Sequence, residues 1–247
     1  MKNVLNLVRI NHIYKYIIKY IILANRNGLP WNPSMDRMTF LQVLNSHSVS
    51  VIRLLSYFKQ IDEFNQLNVD DKVELIKSNI SIVLRISSVL SYNMETHQII
   101  ETDSDIPIHT NTQYYQLIHG YNIRYKLSKT FDSFVYIANF DKKIIQLSLI
   151  IFILTRSFSI RDINQPIILN HPMDIYHLQN NYTQLLWKYI QANYGFQSAV
   201  HLFSKLIYNV LSWQTIEDDV RNNVLKVLSP DDIHQLVPIM KSLLLIS

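Results

Sequence analysis

The stretch YFKQIDEFNQLNVDDKVELIK (residues 57–77) decides how this chain folds. It opens on an aromatic pair, crosses a short polar turn and enters a second apolar-periodic run. Upstream, Phe40, Leu44, Val51, Leu55 and Phe58 recur at steps of three, four or seven, so residues 39–59 form one helix with a single apolar stripe. Downstream, Asp70 and Asp71 place negative charge where a helix N-terminus wants it. That second helix runs to about Tyr92 and is apolar nearly all round from Ile80 to Leu90, so it lies inside the fold. Each of these apolar runs ends on a cation, Lys59 and Lys77, an arrangement that a plain solvated helix does not need.

Working outward, composition excludes several classes. Hydrophobic residues are 48% and charged residues 17% of 247, enough for a sizeable core and against disorder. Three glycines leave few positions for positive φ, which argues against folds built on tight hairpins. The net charge of +4 is small and scattered, with no basic run interleaved with aromatics, so direct nucleic-acid contact is not expected. Absence of cysteine excludes disulfides, thiol catalysis and Cys-ligated zinc modules within this sequence. The nine histidines form no HExxH pattern and no His/Asp cluster, so no metal site is expected. Carboxylates scatter over turns, no Ser/His/Asp arrangement has an activating context, and no catalytic residue is assigned.

The first 28 residues are apolar but interrupted by Arg9, Lys15 and Lys19, and no small-residue cleavage site follows, unlike a signal peptide. The longest uncharged apolar run, residues 144–155, is too short to cross a bilayer and reads as a buried core helix.

Along the chain, residues 3–26 read as a helix stopped at Asn27-Gly28, and LPWNPSMD as a loop. Ile99-Ile100 and Ile106–Ile108 flank ETDSD as a small hairpin, and helices resume near Gln113, Phe131 and Asp141. SFSIRDINQPIILNHP is a long loop. Ile175, Leu178, Tyr182, Leu185 and Tyr189 mark a strong amphipathic helix that Gly195 ends, and Ala199 to Val210 another. Trp187 and Trp213 read as packing residues. Ser229 at N-cap with Pro230 at the first helical position starts a further helix, and a last amphipathic segment follows. The sum is about ten helices and one hairpin in a single all-α domain, with an N-terminal helix and loop (1–37) and a core (38–247).

The opening stretch resembles the signature of nuclear receptor ligand-binding domains. That signature runs aromatic, small, Lys, four variable, Phe, two variable, Leu, three variable, Asp, Gln or Lys, two variable, Leu-Leu-Lys. Here Tyr57, Phe58, Lys59, Phe64, Leu67, Asp71, Lys72, Leu75, Ile76 and Lys77 fill it at the right spacing, with Phe58 for the small residue. IYHLQNNYTQLLWKYI resembles the family's ninth helix, HLFSKLIYNVLSW its tenth, and Ile239-Met240-Lys241-Ser242-Leu243-Leu244 its closing activation helix, with Ser242 in place of Glu. The resemblance spans roughly residues 38–245 and is nearest in pattern to vitamin D receptor-like members.

It implies a three-layer antiparallel sandwich of about 10–12 helices and a groove that docks the Leu-x-x-Leu-Leu helix of a coregulator. Leu55, Val73 and Ile239 would line that groove, Lys59 would reach the unpaired carbonyls at the end of the docked helix, and Lys77 would sit at the rim. Ser242 removes the acid that faces the other end, a loss of about 0.3–1 kcal/mol, or about 2 when partly buried. The implied ligand is an apolar small molecule, steroid-, sterol- or fatty-acid-like, with no cofactor. Ser50 and Ser91 fall where vitamin D receptor-like members bind hydroxyls, and Ser87 stands where they carry an anchoring Arg. The alternative for such serines is that their hydroxyls bond carbonyls of their own helices.

Heterodimerising members pair a Glu, here Ile82, with a loop Arg, for which Arg161 is the candidate. A retinoid X receptor-like partner or a homodimer would use the apolar face of the helix over 198–226. Location in the nucleus, with the cytoplasm as a second site, and no membrane association follow from the same resemblance. A helical lipid carrier and a ligand-free dimerisation scaffold are the competing readings.

Overall fold

Residues 142–153 are the most apolar segment of the chain, and the fold is arranged around them. The computed structural model describes residues 40–95, 98–99, 108–109, 112–158 and 167–244. The predicted helix over 3–26 and Arg161 lie outside these. Among the described residues there are eight helices: α1 Phe40–Phe58, α2 Asp62–Asn65, α3 Val69–Ser88, α4 Thr112–Phe140, α5 Lys142–Ile153, α6 Pro172–Val227, α7 Pro230–Gln235 and α8 Pro238–Leu243. A 3-10 turn, Val89–Ser91, extends α3.

Asp141 caps α5, accepting from the Lys143 N–H at 2.9 Å. Every residue from Ile144 to Ile153 is buried, which is possible only for a helix enclosed on all sides. Its neighbours are α3, α4 and α6. The two buried polar residues on α5 are handled differently: Ser148 donates back to the Ile144 carbonyl at 2.7 Å, while the Gln146 side-chain oxygen is buried with no hydrogen-bond partner. Asn79 of α3, fully buried, donates to the carbonyls of Ile153 and Thr155 and accepts from the Phe158 N–H at 3.2 Å. One amide thus satisfies backbone groups where α5 ends.

The hairpin is present with an extra strand. β2 (Gln98–Ile99) pairs antiparallel with β3 (Ile108–His109), and β1 (Tyr92–Asn93) adds on the other edge of β2. The expected helix start near Phe131 is a correction: α4 runs through that position and breaks instead at Gly120, where φ is 73° and ψ 170°. Gly195 (φ 83°, ψ 168°) likewise divides α6, at the position where the sequence predicts an end. These two kinks divide the eight helices into ten segments; the predicted count of about ten included the helix over 3–26, which lies outside the described residues, and did not include Asp62–Asn65.

Two apolar clusters result. The large one joins α1, α3, α4, α5 and α6; the small one gathers Leu44, Val224, Leu228, Leu236, Met240 and Leu244 under the last helix. No helix among the described residues is long and apolar enough to cross a membrane.

Candidate functional site

The chain from α1 to α3 is tied by side chains onto backbone. Asn65 donates to the Lys59 carbonyl at 2.6 Å, and Lys72 donates through Nζ to the Asn65 carbonyl at 2.9 Å. Asn68 caps α3, accepting from the N–H groups of Asp70 and Asp71. Phe58, the departure from the family pattern, is fully buried, its ring 5.2 Å from that of Tyr57 and 5.6 Å from that of Phe64. The bulk of Phe58 is therefore spent inward and leaves Lys59, the next residue, exposed at the helix end.

Leu55 and Lys59 stand four residues apart on one face of α1, and Val73 and Lys77 four apart on one face of α3. Helix α8 packs against both α1 and α3. It sinks Met240 and Leu244 into the small cluster, rests Ile239 and Leu243 against both clusters and leaves Ser242 exposed. Of the six residues assigned to the groove, then, two lie on each of three mutually adjacent helices. Leu55 and Ile239 are half-buried, and Val73 is 42% exposed. Lys77 is exposed and its ammonium lies 3.0 Å from Glu74 of its own helix.

The serines assigned to the ligand pocket are more dispersed. Ser50 is half-buried on α1 and Ser91 half-buried in the 3-10 turn. Ser87 donates to the carbonyl of Leu84, on its own helix, at 2.7 Å.

Between α3 and α6 lies a group of polar residues that periodicity does not reveal. The Arg85 guanidinium sits over the Trp213 ring, 4.7 Å from its centroid. Glu217, one turn on, is bonded to Ser81; burial pushes its carboxyl above the usual range, against the pull of Arg85 and Arg221. Arg221 itself bonds Asp218 at 2.9 Å. Trp213 is buried as predicted, with its indole N–H lacking a hydrogen-bond partner, and so is one amide nitrogen of the buried Asn209, four residues earlier. The signal available in the sequence is Arg85 itself, the one charge in the run from Ile80 to Leu90, which demands a partner.

On α6 the outer side exposes Val200, Ile207, Tyr208 and Leu211, of which Tyr208 is 65% and Leu211 54% accessible. Ile82, in place of the heterodimer Glu, is 1% exposed and so part of the core.

Comparison with known families gives one match: residues 32–225 fit the family described as ligand-binding domain of nuclear hormone receptor. The match stops short of α7 and α8 and gives no support to the vitamin D receptor-like subgroup. A comparison with curated proteins finds no match.

Proposed function

Because the chain belongs to the nuclear hormone receptor ligand-binding domain family, we propose that it serves as the ligand-binding domain of a transcription regulator and docks coregulator helices. The docking surface is the groove between α1, α3 and α8. One observation carries this reading: α8 rests on both α1 and α3, the helix that ends at the exposed Lys59 and the helix that carries the exposed Val73 and Lys77. Lys59 meets the C-terminal carbonyls of the incoming helix, Lys77 stands at the rim, and the leucines of that helix enter over Leu55, Val73 and Ile239. Ser242 supplies no charge at the other end, so the docked helix is held mainly from the lysine side and signalling is weakened. Fluorescence polarisation with a Leu-x-x-Leu-Leu peptide is the test. Lys59→Ala reduces affinity about two- to thirtyfold, the range of a partly buried helix-dipole contact. Indifference of peptide binding to Lys59→Ala overturns the groove.

An apolar small molecule, steroid-, sterol- or fatty-acid-like, is the proposed ligand, and the exposed apolar side of α6 is the proposed face for a retinoid X receptor-like partner or a second copy. The place of action is the nucleus. A second reading, a ligand-free dimerisation scaffold, draws on the charged group around Arg85 and Glu217, which packs polar side chains between α3 and α6. Mass spectrometry of organic extracts from the purified protein separates the two: a retained lipid supports the receptor, and an empty extract the scaffold.

A further inference from the structure

Apolar contact holds a helix down but does not fix where it lies, since burial has no direction. Helix α8 is short, and Met240 together with Leu244, which caps its end, joins a cluster of aliphatic side chains. Lys241 of α8 donates to the His234 carbonyl of α7 at 3.3 Å, which joins the two short helices to each other, and an amide joins their junction to α1. Asn45 of α1 donates through Nδ2 to the Gln235 carbonyl at 3.2 Å and accepts through Oδ1 from the Val237 N–H at 3.0 Å. These two backbone groups bracket Leu236, which is 3% exposed. They also stand at the exit of α7 and the N-cap of α8, whose side chain is a valine and supplies no cap. The approach is equally constrained: Ser229 and Asp232 form a capping box that starts α7, and prolines open both short helices.

We propose that Asn45 is the positioning residue of the closing helix: it pins the α7–α8 junction to α1 and so sets where Ile239 and Ser242 stand beside the groove. Leu44, its neighbour, belongs to the cluster under Met240, so α1 supplies both the seat and the pin. The consequence for docking rests on the groove reading above; the pinning itself does not.

The chain has no cysteine, so Ser242→Cys gives one unique thiol for a fluorescent maleimide. In this labelled chain the dye is expected to tumble with the whole domain. Adding Asn45→Ala should free it, seen as a fall in anisotropy at unchanged circular dichroism. Asn45→Asp keeps the acceptor and loses the donor, and should fall between the two; it also serves if the alanine variant does not fold. In the chain without the label, Asn45→Ala should weaken peptide binding about tenfold, the change that about 1.4 kcal/mol makes, as expected for two net hydrogen bonds. Unchanged anisotropy in both Asn45 variants overturns the proposal. If the dye is freed yet no peptide binds even the parent chain, the pin stands and the groove reading falls.

Discussion

Asp71 is 1% exposed, and its carboxylate reaches across the molecule instead of serving its own helix. One oxygen accepts from the Asn170 N–H at 2.6 Å and the other from the His171 N–H at 3.0 Å, with the His171 ring nitrogen 3.4 Å away. These N–H groups lie immediately before Pro172, the first residue of α6, so a side chain of α3 holds the entry of the longest helix. Removing it leaves two donors without an acceptor, each costing about 1–3 kcal/mol. Asp71→Ala is therefore expected to lose about 3 kcal/mol in urea unfolding, and Asp71→Asn, which keeps one carbonyl oxygen, less. The sequence shows Asp71 as a charge at a helix start, which is true but secondary. Its partner is 99 residues away, and a contact so remote leaves no periodic trace. The same holds for Asn79 and for Tyr182, whose hydroxyl donates to Glu63 at 3.0 Å.

At the level of elements, the sequence is most readable where one local rule suffices. The helices over 39–59 and 70–92, the buried run from 144 and the Ser229 cap are each dictated by spacing or by a single side chain, and each is found. The two glycine breaks show where that legibility stops. Both sit at positive φ with ψ near 170°, a region that a side chain at Cβ makes strained by about 1–3 kcal/mol. Gly195 follows a clear apolar stripe, so its break is visible; Gly120 sits between two weakly patterned segments, and the break is misplaced to Phe131. A Cβ at either glycine would meet nothing within 4 Å, so the cost of a substitution is backbone strain alone. Gly195→Ala should lower stability by about 2 kcal/mol in chemical denaturation. Gly195→Asn should not rescue it, since asparagine tolerates the left-handed helical region and not this one. The signature residues are legible because all of them lie within 21 positions of one another. The Asn45 contact with Gln235 is not, for it spans 190.

Across the whole molecule, pH acts through buried groups. His119 is 7% exposed at the Gly120 kink, and burial, then the charge of Arg85, pushes its imidazole down to about 4. The unfolded chain takes up this proton near pH 6.5, the folded chain only near pH 4. In that window the unfolded form holds more protons, so stability is full above pH 6.5 and falls as acid is added. Glu217, raised by burial, works in the opposite sense. The difference between chains isolates the histidine: on thermal melting from pH 7.5 to 4.5, the parent should lose ground steadily against His119→Gln. A constant gap between the two melting curves would refute the assignment.

The pairing of residue 45 with residues 235 and 237 has a practical geometry attached. The first turns of α1 and the last turns of the described core leave from one place, next to the proposed coregulator groove. A reporter inserted directly before α1 or directly after α8 would stand beside the same trough and compete for it. Insertions meant to be silent belong at exposed breaks away from this junction in sequence, for instance near the α6 bend at Gly195, whose neighbours are open to solvent.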